Sequence, residues 1–382
     1  VEKFKLGNHD AIIISIWDST LVNGQHKTSF SYWTNILFYS NNLHLILDCS
    51  HEFEGNTNVG LPDNERDRIL NLLKEHNLKN NNIVTVITGR ASYKRQVDDS
   101  YKADWWVDTL APVIDFYHIW PTFFLVWHGP QQYIKDAPLD HSNIDKLFVC
   151  KNRLPHPFRC ALIDELEKHN LINDNLVTLI DPKDMLTSEH PPYKFKYYSG
   201  EKRVYEYDKD HIEVQPNEYK NCFIEVVSES NTVDFYTEKT VQPIIFEKPF
   251  IIYGAKNASR YLQKFGFAIF DELIDYSFDA LPTFEERAAG LAAELLRIKS
   301  LNLNYNDVRK TLEPKIKHNL HRLIELIKHD EYMPNIIREL AKSIPEEILT
   351  PGTPEYVYSY YKNNQPIELQ ELKKSPYFSK LL

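Results

Sequence analysis

The sequence predicts an α/β protein made of two Rossmann-like domains facing a cleft, followed by a helical C-terminal region. Three observations carry that expectation. Apolar, β-branched runs alternate with helical spacing from His9 onward; the alternation restarts near Lys146 after a stretch without clear periodicity; and from Thr283 onward only helical spacing remains. Alternation of this kind builds parallel sheets, because a parallel strand pair needs a crossover long enough to hold a helix. The boundaries fall at residues 1–144, 145–282 and 283–382.

In the first domain, His9 to Trp17 contains the run AIIISIW and ends in Asp18-Ser19-Thr20. Thr28 to Tyr39 has helical spacing through Phe30, Trp33, Ile36 and Leu37. Leu43 to Leu47 reads as a second strand, running into Asp48-Cys49-Ser50-His51-Glu52. Pro62 to His76 reads as a helix with proline at its start, where a missing N–H costs nothing. Ile83 to Thr88 reads as a third strand, closed by Gly89-Arg90. Ala91 to Pro138, with Trp105, Trp106, Trp120 and Trp127, shows no readable period and is assigned no element.

The second domain opens with a strand at Leu147 to Cys150, a polar loop to Pro157, a helix from Phe158 to His169 and a strand from Val177 to Ile180. The Pro- and Tyr-rich stretch from His190 to Tyr219 reads as a loop or ribbon. Cys222 to Val227 is a buried strand, Tyr236 to Phe246 a helix with Pro243 near its first turn or kinking it, and Pro249 to Gly254 another strand. Asn257 to Phe265 reads as a helix and Phe267 to Phe270 as a short edge strand. Thr283 to Lys299, Tyr305 to His329 and Pro334 to Ile344 complete the expected helices.

Composition narrows the class. Hydrophobic residues make up 42% and charged residues 26%, the balance of an ordinary globular protein. A net charge of −10 argues against affinity resting on nucleic-acid phosphates. Aromatic residues reach 13%, which suits sugar-binding clefts, although core packing accounts for aromatics more often. Cys49, Cys150, Cys160 and Cys222 lie in or beside apolar runs without C-x-x-C spacing, and read as buried thiols of a reducing compartment. No apolar run reaches the ~18 residues that span a bilayer, and the first residues hold no signal-peptide apolar core. The expectation is a soluble, cytoplasmic protein with no membrane span. Without D-x-D between apolar strands, H-x-x-x-H or a Cys cluster, no metal is expected.

In open parallel sheets ligands bind outside the carboxyl ends of the strands, where helix N-termini present free N–H groups. Ser228, Glu229, Ser230, Tyr236, Thr237, Glu238 and Lys239 fall on that rim. A carboxylate there suits a ribose diol; a lysine and free N–H groups suit a diphosphate. The same spacing also describes a capped helix with a surface Glu–Lys pair. A second constellation, Asn152, Arg153, His156 and Arg159, clusters in the loop after the first strand of the same domain. Guanidinium groups at such a rim suit bidentate phosphate contact, and the plain alternative is an N-terminal cap with solvated arginines.

Ser228-Glu229-Ser230, then Asp234-Phe235, then Thr237-Glu238-Lys239 resembles the donor-binding signature of the α1,3-fucosyltransferase family, F-E-N-S-x-x-x-D-Y-x-T-E-K. The last serine, the aspartate and the Thr-Glu-Lys are in register, while Ser228 and Glu229 stand where the family has Glu and Asn. Pro249 to Gly254 sits where the family has V-P-V-V-x-G. The Asn152 to Arg159 loop is similar to the N-R-x-x-R-x-H-R loop of bacterial and viral glycosyltransferase-like sequences, with His156 and Phe158 in place of the inner Arg and the His.

The resemblance implies the GT-B glycosyltransferase architecture. It implies a nucleotide diphosphate sugar as donor, GDP-fucose first, a hydroxyl of a glycan as acceptor, inversion, and neither cofactor nor metal. It would place Asn152, Arg153, Arg159 and Lys239 on the diphosphate, Glu229 or Glu238 on ribose or sugar hydroxyls, and Tyr236 against the base or sugar. Inversion needs a general base for the acceptor hydroxyl, expected at a strand end of the first domain. Glu52 is preferred over Asp18; Asp48, Glu54, His51, His118 and His128 are the alternatives. Rival readings are an enzyme of the same fold that glycosylates modified DNA bases, as in phages, a nucleotide-sugar or glycan-binding module without turnover, and a doubly wound protein of unrelated chemistry.

Overall fold

Residues 137–152, 155–179, 193–198, 219–229, 236–329 and 372–382 are described by the computed structural model, together with the backbone of five strands before them. These strands are β1 (Phe4–Leu6), β2 (His9–Ser15), β3 (Leu43–Cys49), β4 (Ile83–Thr88) and β5 (Ile114–His118). The chain divides into two compact units, Val1–Phe123 with His329–Gln370 and Phe124–Lys328 with Glu371–Leu382.

The strands of the first unit form one sheet in the order β1-β2-β3-β4-β5. β1 runs antiparallel to β2, with Phe4 opposite Ala11. The others are parallel: Ile12 lies beside Leu45, Ile46 beside Thr85 and Val86 beside Phe116. β2, β3 and β4 fall on the expected runs. β1 and β5 were not expected; β1 has three residues, and β5 reads IDFYH, whose polar residues hide it until it pairs with β4. The described strands follow chain order, without the reversal that a doubly wound sheet has. Asp18, Glu52 and the helices expected at Thr28–Tyr39, Pro62–His76 and Pro334–Ile344 lie outside the described residues.

The second unit holds β6 (Lys146–Lys151), α1 (Pro157–Lys168), β7 (Leu176–Thr178), β8 (Cys222–Ser228), α2 (Glu238–Ile245), β9 (Phe250–Tyr253), α3 (Ala258–Lys264), α4 (Phe284–Ser300) and α5 (Tyr305–His329). Its sheet is wholly parallel in the order β7-β6-β8-β9, with Val149 beside Leu176, Cys150 beside Val226 and Val227 beside Ile252. Every residue of β8 is buried, which is why this strand reads as an apolar run, interrupted by Glu225, rather than an alternation. Leu162, Ile163 and Leu166 of α1 join the core, as do Leu291, Leu295 and Ile298 of α4, and α4 packs on α1. α4 thus packs into this unit, and α5 belongs to it as well, with Leu320, Leu323 and Ile327 buried. α4 opens with a capping box in which the Thr283 hydroxyl accepts the Glu286 N–H and the Glu286 carboxylate accepts the Thr283 N–H.

Two local expectations are corrected. Phe267 to Phe270 is not a strand: the Ala268 N–H donates to Asn319 Oδ1 at 2.7 Å, the Asn319 amide returns a bond to the Ala268 carbonyl, and the Phe270 N–H donates to the Tyr276 hydroxyl. Side chains of α5 and of the 3₁₀ turn Tyr276–Ala280 satisfy a backbone that the apolar pattern assigned to a sheet edge. α2 begins at Glu238 rather than Tyr236, and Pro243, its sixth residue, lies beyond the first turn, inside the helix. The helix then stops at Glu247, whose φ of 54° is left-handed, with the Lys248 N–H turned back to the Pro243 carbonyl at 2.8 Å.

Candidate functional site

The strand order of the second sheet reverses at β6: β7 lies on one side of it and β8, then β9, on the other. In open parallel sheets such a reversal is where ligands bind, outside the carboxyl ends of the strands, here those of β6 and β8. Asn152 follows β6 directly and Ser228 ends β8, each two residues beyond the paired Cys150 and Val226. Both side chains are buried, and the Asn152 Oδ1 and the Ser228 Oγ have no hydrogen-bond partner among the described residues. The rest of Asn152 is held: its N–H donates to the carbonyl and hydroxyl oxygens of Thr178, and its Nδ2 to Cys150 Sγ at 3.3 Å. Two orphaned polar atoms at the ends of adjacent strands at a switch point call for an explanation, since buried polar groups are ordinarily satisfied.

Glu229, one residue further, is buried and committed. One carboxylate oxygen accepts the Thr237 N–H at 3.0 Å and the Thr240 hydroxyl at 2.5 Å; the other accepts the Thr237 hydroxyl at 2.7 Å. Thr237 is the N-cap of α2, and its hydroxyl accepts the Lys239 N–H. The carboxylate therefore occupies the place at the α2 N-terminus that an external anion would take. This differs from the expectation that Glu229 binds a ribose diol; the loop to Thr237 is short enough for the acid to close on its own helix.

Arg159 lies in the first turn of α1, as expected, but only 3% of it is exposed. Its Nε and Nη2 fork onto the Glu229 carbonyl at 3.2 and 2.7 Å, with Nη2 also 3.4 Å from the Ser228 carbonyl. It ties α1 to the end of β8, where a diphosphate contact had been expected. Tyr236 differs too: its ring is buried and its hydroxyl donates to the Ala258 carbonyl, so it packs inward against α3 rather than facing a base or sugar. Lys239 is half-buried, the second residue of α2, with its ammonium 3.3 Å from the Thr237 hydroxyl. Arg153 and Ser230 lie outside the described residues, and Glu238 is described by its backbone alone.

The two helices that open onto the rim differ in charge. α2 carries the Glu229 carboxylate. α1 starts with Pro157, has no side-chain cap from His156 and no acidic residue in its first turn. The positive end of α1 is thus the one without a protein carboxylate among the described residues.

Sequence reasoning missed the charges behind the rim. Glu225, in the middle of β8, is buried and accepts Lys151 Nζ at 2.9 Å on one oxygen and the Tyr219 hydroxyl on the other. Burial lowers the Lys151 pKa, and the neighbouring charge of Lys239 acts in the same direction against the attraction of Glu225. Lys248 is buried against the Cys222 carbonyl with its ammonium 4.7 Å from the Tyr219 ring centre, and burial pushes its pKa down to about 7. The available signal was Glu225 itself, a carboxylate inside an otherwise apolar strand. Burial pushes the thiols of Cys150 and Cys222 up to about 12, which keeps them protonated and unreactive.

Among the described residues no group of three or more His, Cys, Asp or Glu side chains could hold a metal ion, and no helix is long and apolar enough to cross a membrane. Fold and rim together define an α/β protein with a parallel sheet and buried polar side chains where its strand order reverses. No protein-family model and no curated protein matches the chain.

Proposed function

We propose that the protein is a GT-B glycosyltransferase that takes a nucleotide diphosphate sugar at the rim of the second sheet and transfers the sugar to a hydroxyl acceptor, a glycan. The observation that carries this reading is the pair of orphaned atoms, Asn152 Oδ1 and Ser228 Oγ, at the switch point between β6 and β8. An amide oxygen and a hydroxyl complement the hydroxyl and N–H groups of a sugar nucleotide. The resemblance of Ser228 to Lys239 to the fucosyltransferase signature supports the same ligand and makes GDP-fucose the first donor.

The diphosphate belongs at the uncapped start of α1 because the Glu229 carboxylate would repel it from α2, and Arg153 and Lys239 are the cations the sequence offers for it. In the reaction the acceptor oxygen attacks the anomeric carbon as its bond to the diphosphate breaks. A general base takes the acceptor proton, the role for which the sequence offers Glu52 or Asp18, and cations of the donor site offset the charge left on the leaving group.

A thermal-shift comparison of GDP, UDP, ADP, CMP and dTDP, with their sugars, tests the reading. A ligand at about 100 times its dissociation constant stabilises the folded state by roughly 2.7 kcal/mol, a readable shift. A selective shift followed by sugar transfer is the expected result. Selective binding without transfer or hydrolysis would favour a binding module. No shift in a folded sample would overturn the proposal.

A further inference from the structure

We infer that Lys151 is a positioning residue of the rim: bridging β8 and α2 from the end of β6, it seats α2, and with it Lys239, on the sheet. The inference rests on reading the rim as a ligand site. Lys151 ends β6, one residue before Asn152. Its ammonium reaches Glu225 Oε1 on β8 at 2.9 Å and the Gln242 Oε1 on α2, so one side chain at the end of β6 bonds to both of the other elements.

The surrounding groups restrict each partner. The second oxygen of Glu225 is taken by the Tyr219 hydroxyl. Lys248, the other cation beside the Tyr219 ring, donates to the Cys222 carbonyl. Glu225 is thus left to Lys151 among the two lysines. Gln242, itself buried, has its amide oxygen on Lys151 and lies three residues after Lys239 on α2, one turn along the same helix.

A buried ion pair adds little stability over apolar residues of the same volume, and its demonstrable value is in fixing geometry. Here the geometry fixed is the placement of α2. The Glu229 cap holds the helix start and the Lys151–Gln242 bond holds its second turn, so α2 is fixed at two points along its axis.

The test removes both charges together, Lys151→Met with Glu225→Gln, so that no ion is left buried and unpaired. Urea unfolding is expected to stay near wild type. Amide exchange in α2 is expected to quicken about tenfold, the loss of one charge-assisted hydrogen bond, and GDP to bind about tenfold more weakly. Lys151→Arg, which can reach both partners, is expected to restore both.

Should the double variant fail to fold, Gln242→Met cuts the bridge while leaving the ion pair, with the same local loosening expected. α2 amides as protected in these variants as in wild type would overturn the inference whatever GDP does. Faster exchange in α2 together with a wild type that binds no nucleoside diphosphate would uphold the role of Lys151 in seating α2 and overturn the rim reading alone.

Discussion

Glu229 receives the Thr237 backbone N–H at 3.0 Å and the Thr237 hydroxyl at 2.7 Å, so the strand that ends at the rim supplies the counter-charge for the helix that begins there. Arg159 holds the Glu229 carbonyl at 2.7 Å from the other side. The order of the rim therefore depends on a chain of contacts from α1 through the end of β8 to α2, and each link can be cut separately.

Glu229→Gln keeps the size of the side chain but turns one acceptor into a donor facing donors. It is expected to cost about 1.5–3 kcal/mol of stability, the worth of a hydrogen bond to a charged group, while Thr240→Val costs about 1 kcal/mol. Urea denaturation of the two variants reads the difference. Equal, negligible losses would show that the carboxylate does not hold α2.

Lys239→Ala is expected to leave unfolding within about 0.5–1 kcal/mol of wild type, as for a side chain that keeps access to solvent. Its effect belongs to ligand binding, where about 1.5–3 kcal/mol of GDP affinity is expected to go. Titration calorimetry compares the two proteins, and unchanged affinity would remove Lys239 from the donor site.

For Tyr236 the expectation is reversed. Removing its hydroxyl in Tyr236→Phe deletes the bond to the Ala258 carbonyl and is expected to cost about 0.5–1.5 kcal/mol of stability without changing GDP affinity. A variant with wild-type stability and weakened GDP binding would return this ring to the ligand.

Lys248 makes stability depend on pH. Its folded pKa of about 7 lies below the ordinary 10.5, so between these values the unfolded chain holds a proton that the folded chain does not. Stability then rises with pH across that window. Cys150, Cys160 and Cys222, raised from 9 to about 12, act oppositely above pH 9, where the folded chain keeps protons that the unfolded chain has lost. Urea midpoints are therefore expected to rise between pH 7 and 9 and to lose this slope in Lys248→Met. A wild type with no slope there would show that Lys248 keeps its charge in the fold.

Much of the second unit is legible in the amino-acid order. The strand expected at Leu147–Cys150 is observed at Lys146–Lys151, and the helix expected at Tyr305–His329 has those bounds. These elements announce themselves because burial imposes a period on neighbouring residues. β5 escapes because Asp115 and His118 break the apolar run, and Phe267–Phe270 misleads because an apolar run can be satisfied by side chains of distant elements as well as by a neighbouring strand.

The candidate site divides along the same line. Ser228, Glu229, Thr237 and Lys239 share one rim because the strand–turn–helix order that brings them there is local. Which of them face a ligand is a tertiary matter. Glu229 and Thr237 satisfy each other, and Arg159 finds its carbonyl 70 residues away. Lys151 finds Gln242 across 91 residues. Most strands and helices of the second unit follow from residue order alone, because hydrophobic periodicity is a property of adjacent positions. Only the folded chain could allot the buried charges, because the partner that offsets a desolvation cost is whichever group the fold brings within hydrogen-bond reach, however far away in sequence.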